Sequence, residues 1–313
     1  RLTRGMNTWI PGPAIRNGNR GYPSNELNTE YPNGVIQMKF LHTADRERYR
    51  RMTTDELREA YLIDDMFLPG ELTLCYTDVE RCVVGSAVPT GEALELPVHK
   101  ELASDYFCQR REVGVINIGS AGTVVVDGES HDMDNRDSLY IGRGSKDVKF
   151  TSASTDDPAK FYFASYPAHK EYPCKLIRRN EANRLEMGSM EECNDRVINQ
   201  SLIPGIVDTC QLVMGFTELS PGSNWNTMPV HTHRRRTEVY MYFDLGEDDV
   251  VFHLMGEPEE TSHIVVRIGQ AVASPSWSIH SGVGTRNYTF IWAMGGEHQD
   301  FPDMDHVAMT DIR

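Results

Sequence analysis

The chain has 313 residues, 39% of them hydrophobic, and a formal net charge of −15 at pH 7. This length allows one large domain or two medium ones, and the negative charge argues against nucleic acid or an anionic membrane surface as a partner. No apolar run approaches the roughly 20 residues that cross a bilayer, so we expect a cytoplasmic protein that does not bind membranes.

The six cysteines stand singly along the sequence and form no Cys-x-x-Cys pair. In a chain of this size, that distribution is typical of reduced, mostly buried cysteines and not of a disulfide framework. A reduced state agrees with the cytoplasmic location that the composition indicates.

Residues 1–37 are rich in proline, glycine and asparagine and have no hydrophobic periodicity. This composition predicts an irregular N-terminal extension, and it lacks the apolar core of a signal peptide. Met38 then begins a sequence that looks like a natural start. We expect the extension to come from an upstream start or from cloning, and to contribute nothing to folding or chemistry.

After Met38 the composition changes from helix-favouring to β-rich. Residues 43–60 are charged and favour a helix, with Thr54 as the expected N-cap. From about residue 70 short β segments follow, and Asp127-Gly128 is a strong hairpin signal. Regularly spaced short strands with glycine-rich turns predict an all-β sandwich or barrel. The predicted strands are 71–76, 81–84, 114–118, 123–126, 138–141, 148–151 and 160–164.

The strand pattern recurs in the second half of the chain, at an offset of roughly 126 to 133 residues. Cys210–Gly222 is similar to Arg81–Gly91, and Arg235–Val239 is similar to Arg110–Val113. We therefore predict two tandem barrels, residues 38–180 and 181–313. The alternative is that these short echoes are coincidence.

Four residues of the second half form a metal-ligand pattern. His231, His233 and Glu238 fit His-x-His-x4-Glu, and His280 follows behind Pro275. Alternate residues of a strand point the same way, so the first two imidazoles can face one point. Three imidazoles and one carboxylate suit Zn, Mn, Fe, Ni or Co. The alternative is that these histidines are scattered surface or core residues.

The echo also predicts what the first half keeps of such a site. If Glu112 matches Glu238, the positions of the three histidines fall on Asp105, Phe107 and Asp147. Only Glu112 would then remain as a strong ligand. We therefore expect one barrel to bind a metal and the other to have lost its site.

The ligand element with its distal Pro-x4-His resembles the two motifs of the cupin superfamily, although Trp277 stands where a glycine is expected. Longer motifs resemble the 5-keto-4-deoxyuronate isomerase family, also called 4-deoxy-L-threo-5-hexosulose-uronate ketol-isomerase. The resemblance runs from about Met38 to Arg313. The motifs that carry it are Arg110–Gly119, Pro167–Pro173, Trp225–His233, Ser274–Gly284 and Asp303–Ala308.

The resemblance implies an all-β bicupin, in which two tandem jelly-roll barrels are accompanied by short helical segments. It implies a homohexamer of bacterial pectin and uronate catabolism, with one Zn²⁺ per subunit. The implied reaction converts 5-dehydro-4-deoxy-D-glucuronate, which is 4-deoxy-L-threo-5-hexosulose uronate, into 3-deoxy-D-glycero-2,5-hexodiulosonate. The implied zinc ligands are His231, His233, Glu238 and His280.

An aldose–ketose isomerisation moves a proton from C2 to C1, and negative charge builds up on oxygen in the enediolate. A metal on the C1 and C2 oxygens would stabilise that charge, and a base would carry the proton. Two catalytic candidates are His253, which alternates with apolar residues, and Tyr240, which shares strand parity with Glu238. Core packing is the alternative for both.

The carboxylate of a uronate requires a positive group, and arginine offers a bidentate fork. A surface or interface role is the alternative for each candidate. The candidates are Arg111, Arg196, Arg235, Arg236 and Lys175.

Three other functions stay open at this point. A 5-deoxyglucuronate isomerase of inositol breakdown would perform the same reaction type on a different sugar acid. An iron- or manganese-dependent oxygenase can also use three histidines and one glutamate. A sugar-binding or storage bicupin has no need of a complete ligand set, which argues against that function.

Overall fold

The structure of the protein, a computed structural model, describes residues 38–313. The predictions for residues 1–37 therefore lie outside the described residues. The described chain is mainly β, with helices α1 (Arg46–Tyr49) and α2 (Thr54–Tyr61). No helix in this part of the chain combines the length and the apolar character that crossing a membrane requires. Short 3₁₀ turns lie at Lys100–Leu102, Phe107–Gln109, Arg179–Glu181 and Met309–Asp311.

The strands before residue 180 are short and follow one another closely. They are β1 (Lys39–Leu41), β2 (Leu62–Ile63), β3 (Leu72–Thr77), β4 (Val83–Ala87), β5 (Leu94–Glu95), β6 (Arg111–Asn117), β7 (Gly122–Val126), β8 (Glu129–Met133), β9 (Ser138–Ile141), β10 (Val148–Ser152), β11 (Phe161–Pro167) and β12 (Lys175–Ile177). Each segment that the sequence predicts as a strand overlaps one of these. The Asp127-Gly128 hairpin between β7 and β8 is confirmed, with both residues at positive φ.

The strands after residue 180 repeat this arrangement. They are β13 (Asn183–Met187), β14 (Arg196–Leu202), β15 (Val213–Leu219), β16 (Trp225–Asn226), β17 (His231–Thr232), β18 (Arg236–Phe243), β19 (Val251–Glu257), β20 (Glu260–Val266), β21 (Ala271–Ser274), β22 (Ile279–Gly284), β23 (Thr289–Gly296) and β24 (Asp305–His306).

Each half folds a larger and a smaller sheet with matching strand order. The larger sheets run β1-β3-β4-β11-β6-β9-β12 and β13-β14-β15-β23-β18-β21-β2, and the smaller sheets run β5-β10-β7-β8 and β16-β22-β19-β20. The order therefore matches strand for strand, apart from the origin of the edge strands. The echo in the sequence reflects two barrels of the same topology.

The hydrogen-bonded ladders show which residues of the two barrels correspond. Phe163 pairs with Gly85 on one side and with Val115 on the other. Trp292 pairs in the same way with Gly215 and with Tyr240. A Cβ atom at either glycine would lie within 2.5 Å of the aromatic ring beside it, so the ring of Phe163 or Trp292 accounts for each glycine. Tyr240 therefore corresponds to Val115.

This correspondence shows that the predicted match of Glu112 with Glu238 is wrong by one residue. Both lie in corresponding strands, β6 and β18, but the residue that matches Glu238 is Val113. Val113 faces the interior of its barrel, whereas Ile116 lies in the core between the two larger sheets. Because strand residues alternate between faces, Glu112 points with Ile116 toward the second barrel.

The helices and β2 pack with the second barrel although they lie between β1 and β3 of the first. Tyr49 Oη donates to the carbonyl of Met255 at 2.9 Å, and Leu57 lies in the core of the second barrel. Leu62 of β2 pairs with Val272 of β21. Residues 44–63, which the sequence analysis assigned to the N-terminal unit 38–180, therefore complete the other barrel.

The N-cap of α2 is Thr53 and not Thr54, so that prediction is wrong by one residue. The backbone N–H of Glu56 donates to Thr53 Oγ1 at 3.4 Å, and the N–H of Thr53 donates to the Glu56 carboxylate at 2.7 Å. This capping box requires a glutamate three residues after the cap. Thr53 has that spacing, and Thr54 does not.

The interiors of the two barrels differ in what fills them. The first barrel is filled mainly with aliphatic side chains around a phenylalanine cluster, in which the Phe150 centroid lies 5.3 Å from that of Phe161 and 5.8 Å from that of Phe163. The second barrel has tyrosine, tryptophan and histidine on its inner face. It also contains a cavity, which positions the site described next.

Candidate metal centre

Four side chains converge at one end of the second barrel. His231 lies on β17, His233 follows that strand directly, Glu238 lies on β18, and His280 lies on β22. All four are buried, and their potential ligand atoms lie within 4.8 Å of one another. No other such group of His, Cys, Asp or Glu is found among residues 38–313. The structure therefore brings together the four residues that the sequence predicts as ligands.

The ring nitrogens that face the centre lie close together. His280 Nε2 is 3.0 Å from His231 Nε2 and 2.9 Å from Glu238 Oε2. His233 Nε2 is 3.1 Å from the same carboxylate oxygen. Three Nε2 atoms and one carboxylate oxygen thus face one point from separate strands and a loop.

The opposite ring nitrogens face backbone carbonyls. His233 Nδ1 lies 3.5 Å from the carbonyl oxygen of Arg236, and His280 Nδ1 lies 3.4 Å from that of Ser278. A carbonyl oxygen accepts only, so a proton on Nδ1 satisfies each carbonyl and leaves the lone pair of Nε2 available to a metal ion. Metal-binding histidines are typically oriented in this way.

The protonation states also favour a cation. Burial, followed by the charge of His280, lowers the pKa of His231 to about 2, and burial is the largest cause of the lowered pKa of His233. Burial alone would raise the pKa of Glu238, but attraction by His280 and His233 outweighs it and holds that pKa well below its ordinary value. His231 and His233 are therefore neutral beside an ionised carboxylate, and metal binding requires that state of its ligands.

These features fit a borderline divalent cation. Two buried imidazole nitrogens 3.0 Å apart would gain from a shared positive ion, because each carries a lone pair. Three histidines and one carboxylate suit zinc and its first-row neighbours better than Mg²⁺ or Ca²⁺, which prefer oxygen ligands.

A cavity of about 340 Å³ opens onto this centre. That volume lies within the range of roughly 300–1,000 Å³ that small-molecule sites occupy. One wall is apolar and includes Phe290, Trp292, Met294 and Phe301. The polar residues that line the cavity are Arg196, Thr217, Thr227, His231, Glu238, Tyr240 and His306.

Two of the predicted residues line this cavity together with the ligands. Tyr240 Oη lies 2.9 Å from Thr227 Oγ1, and burial raises the pKa of Tyr240 well above its ordinary value. Arg196 is 7% exposed, and its guanidinium donates to the carbonyl of Asn194 at 2.9 Å. Arg196 forms no ion pair with any described carboxylate.

His253 does not reach the cavity. Its Nδ1 lies 2.7 Å from Tyr242 Oη and its Nε2 lies 3.4 Å from Ser274 Oγ. Burial, followed by the charge of His280, lowers the pKa of His253 to about 3. His253 is therefore a neutral, hydrogen-bonded core residue, and the expectation of a catalytic role has no support in this position.

Three predicted substrate-binding residues also lie outside the cavity lining. Arg111 belongs to the first barrel, where its guanidinium donates to Ser165 Oγ at 3.0 Å and to the Ser165 carbonyl at 2.8 Å. Lys175 donates to the carbonyl of Ile206, at a separate shallow pocket. Arg235 forms an ion pair with Asp303. Each cation already has a partner within the fold, so none of the three points into the site.

The sequence analysis missed part of the cavity wall. Phe301, Met304 and His306 line it from the C-terminal segment, and His306 lies opposite His231 in the β17–β24 ladder, with ring centroids 6.1 Å apart. His306 stands within the quoted motif Asp303–Ala308, which was the available signal. Thr227 carries no comparable signal.

The first barrel has no counterpart of this centre. Asp105 is exposed and binds Gln109, Phe107 belongs to the apolar core, and Asp147 is exposed. Glu112 accepts hydrogen bonds from the backbone of residues 210–212. No group of metal-ligand type is found there among the described residues, and Glu112 lies on the opposite face of its strand.

Comparison with known sequences gives matches over most of the chain. The sequence profile of the KduI/IolB family matches residues 70–309. A protein of Lachnoclostridium phytofermentans, named 4-deoxy-L-threo-5-hexosulose-uronate ketol-isomerase, is 52% identical over 276 residues, which are 88% of this chain and 100% of the relative. A protein of Yersinia pestis with the same name is 48% identical over 278 residues, again 88% of this chain and 100% of the relative.

Comparison with solved structures gives similar folds at low sequence identity. An IolB-like protein of Salmonella typhimurium superposes with a TM-score of 0.60 at 14% identity, covering 72% of this chain and 87% of the other. Oxalate decarboxylase of Lactobacillus farciminis superposes with a TM-score of 0.50 at 11% identity, covering 73% and 79%. These likenesses show the bicupin fold, as the sequence predicts.

Proposed function

The chain belongs to the KduI/IolB family, and from this premise we propose that it is a ketol-isomerase acting on 4-deoxy-L-threo-5-hexosulose uronate. The product is 3-deoxy-D-glycero-2,5-hexodiulosonate, so the enzyme is an intramolecular oxidoreductase of uronate catabolism. The observation that carries the proposal is the 52% identity with a relative of that name over its full length. The buried His₃Glu centre beside a small cavity supports it.

We propose Zn²⁺ as the cofactor, one ion per subunit, held by His231, His233, Glu238 and His280. When bound, a divalent cation supplies Lewis-acid stabilisation of the negative charge that develops on the sugar oxygens. The chain itself orients the ligands, because the carbonyls of Arg236 and Ser278 face the outer ring nitrogens of two of them.

We propose that Arg196 binds the carboxylate of the uronate. Of the described residues that line the cavity, it is the only arginine or lysine. A guanidinium that is 7% exposed and has no carboxylate partner carries a desolvation cost, which an anionic ligand would offset. Its fork can bind a carboxylate through two hydrogen bonds.

We propose that His306 accepts the proton from C2 and returns it to C1, while the proton of the C2 hydroxyl passes to the C1 oxygen and the carbonyl shifts from C1 to C2. His306 lines the cavity directly across from the ligand His231. Tyr240 keeps its proton, because burial raises its pKa, and its hydroxyl can donate a hydrogen bond that orients a sugar oxygen. Both residues would touch substrate, which is the condition for general acid–base work.

The homohexamer and the cytoplasmic location remain proposals that follow from the family resemblance. Sedimentation velocity on the purified protein tests the first. A mass other than six times that of the subunit would contradict it. Fractionation of the source cells tests the second.

The experiment that tests the function follows two sugar acids by NMR. The protein is incubated with the monosaccharide left by exhaustive pectate lyase digestion and, separately, with 5-deoxyglucuronate. We expect the C1 aldehyde signal to disappear only with the first. Turnover of 5-deoxyglucuronate alone would favour the inositol-pathway isomerase. Oxygen uptake on addition of either sugar would favour an oxygenase.

A further inference from the structure

The segment 297–307, called the strap below, crosses the open side of the cavity. Its first residue, Glu297, donates its backbone N–H to the carbonyl of Arg235 at 2.9 Å, and its last, Val307, donates to the carbonyl of Val230 at 3.0 Å. Between these points β24 pairs with β17, the strand of His231. The strap is therefore fastened at both ends to the chain that carries the metal ligands.

The inner face of the strap is part of the cavity wall. Phe301, Pro302, Met304 and His306 all line the cavity. The Phe301 ring packs against Trp292, with centroids 5.3 Å apart. A displacement of the strap would therefore open the cavity to solvent and move His306 away from its position across from the centre.

Arg236 supports the strap from beneath. This side chain is 1% exposed, and its guanidinium donates to the carbonyls of Asp300 at 2.8 Å, Phe301 at 2.9 Å and Asp303 at 3.1 Å. These carbonyls belong to an irregular loop, so the guanidinium satisfies acceptors that no strand ladder satisfies.

Arg235 fixes the same loop from the outer side. Its Nε donates to Asp303 Oδ2 at 2.7 Å, and its Nη2 pairs with the other carboxylate oxygen of Asp303. This bidentate pair holds the pKa of Asp303 to about 2. His298 lies 2.8 Å from the same carboxylate, which adds a contact inside the strap.

Arg234 provides the contrast. It is exposed and makes no hydrogen bond or ion pair with any residue of the described chain. Three consecutive arginines thus stand between the ligands His233 and Glu238, and only the second and third contact the strap. The contacts are therefore specific to position and not a general effect of positive charge.

We propose that Arg235 and Arg236 are positioning residues, which hold the strap against the cavity. They thereby keep the substrate-binding wall at a fixed position relative to the metal ligands. The proposal rests on the proposed function for its effect on turnover. The ion pair of Arg235 with Asp303 holds the strap in its position at the cavity. The hydrogen bonds of Arg236 to three carbonyls fix the distance between the strap and the metal ligands.

The first experiment measures backbone amide exchange of residues 300–306 in the metal-loaded protein. The variants are Arg235→Gln, Asp303→Asn and the double variant, with Arg234→Gln as the matched control. We expect about fivefold faster exchange in either single variant and little further increase in the double variant, because the Arg235–Asp303 pair is the main interaction lost in each case. The contacts of Arg235 with Asp305 and of His298 with Asp303 account for the remainder. Arg234→Gln should match the parent protein. Exchange in Arg235→Gln that equals exchange in Arg234→Gln would overturn the proposal.

The second experiment measures metal content, KM and kcat of the same proteins. We expect full metal content, a KM raised about five- to tenfold and a kcat lowered by a similar factor, because the strap carries both a wall of the substrate site and His306. A merely structural role would lower the active fraction, which reduces kcat and leaves KM unchanged. That result, or metal loss in step with the kinetic change, would overturn the proposal.

The two experiments separate this inference from the proposed function. If the parent protein turns over no uronate, the proposed function fails while amide exchange still tests the strap. If the parent protein is active and exchange is unaffected by either single variant, the strap inference fails alone. Arg236→Met is a stronger change, and the Arg235 and Asp303 variants avoid its risk to folding because both side chains are partly exposed.

Discussion

Glu112 and Glu238 lie on corresponding strands of the two barrels and have opposite surroundings. Glu112 accepts hydrogen bonds from Tyr140 Oη at 2.8 Å and from the backbone N–H groups of Cys210 at 2.7 Å, Gln211 at 2.8 Å and Leu212 at 2.9 Å. Glu238 faces two imidazoles. Glu112 anchors the backbone just before β15, and Glu238 belongs to the candidate metal centre.

The difference shows that a shift of one residue between corresponding strands decides whether a glutamate has a structural role or faces the candidate metal site. A side chain on the outer face of β6 meets the other barrel, whereas one on the inner face of β18 meets the cavity. The inner position of the first barrel holds Val113, which packs in an apolar core. Corresponding strands of the two barrels therefore share their pairing, whereas the residues on their inner faces differ.

The largest expected effect tests the centre itself. His280→Ala or His233→Ala should remove most of the bound metal and lower activity by about 1,000-fold or more, because several kcal/mol of charge stabilisation is lost. Metal analysis and kinetics of the purified variants measure both. Asp105→Asn and Asp147→Asn, at the nominal counterparts in the first barrel, should keep metal and activity. Full metal occupancy in His280→Ala would contradict the assignment of His280 as a metal ligand.

A paired substitution of the two glutamates sharpens the comparison directly. Glu112→Gln should lower the free energy of unfolding by about 3 kcal/mol, because buried N–H groups lose a charged acceptor, and it should leave the metal bound. Glu238→Gln should release metal and change folding less. Denaturant unfolding and elemental analysis of both variants are the measurements. Equal metal loss in the two variants would mean that the barrels do not divide these roles.

The sequence was sufficient to predict that only the second barrel carries the four ligand residues. It was not sufficient to predict the alignment of the corresponding strands to within one residue. His231, His233, Glu238 and His280 stand in a spacing that few arrangements other than a metal site explain. The face of Glu112 depends on one residue of alignment between short echoes, and a glutamate in each half gave a false match. The packing of an aromatic ring over Gly85 and over Gly215 fixes the true register, and such a contact exists only in three dimensions.

Most of the residues predicted to bind substrate lie away from the cavity for a related reason. Arginine at positions 111 and 235 and lysine at position 175 have the correct charge for a uronate, but each is used by a neighbouring carbonyl or carboxylate. Composition and motif give no measure of which cations already have partners. Arg196 also donates to a carbonyl, but it differs because it lines the cavity and pairs with no described carboxylate.

A third test asks which histidine of the second barrel touches substrate. His306→Gln should lower kcat by about 100-fold, as the loss of a general acid–base group typically does. His253→Gln should keep kcat within a few-fold, because this residue is packed inside the barrel as the core residues of the first barrel are. Steady-state kinetics on metal-loaded proteins decides between them. The opposite ranking would restore the catalytic role expected for His253.

The smallest effect concerns pH and the buried His253. Its pKa is about 3 in the fold against 6.5 for an ordinary histidine, so only the unfolded chain gains this proton between those values. Stability is therefore complete above pH 6.5 and falls as the pH decreases toward 3. His253→Gln should reduce that slope by about 1 kcal/mol per pH unit. Unfolding of metal-free parent and variant across this range measures it, and identical slopes would contradict the assignment.

The position of β2 and the helices has a consequence for biosynthesis. The ribosome produces residues 44–63 after β1 but before the rest of the first barrel, yet their partner strand β21 ends at residue 274. This segment therefore has no partner strand until about two hundred more residues have been added. Tyr49 and Leu57 are exposed during that time. A first barrel that closes during synthesis would leave that segment free for the second. The two barrels are therefore joined by a late step, and cutting the gene between residues 180 and 181 would separate the second barrel from its own edge strand.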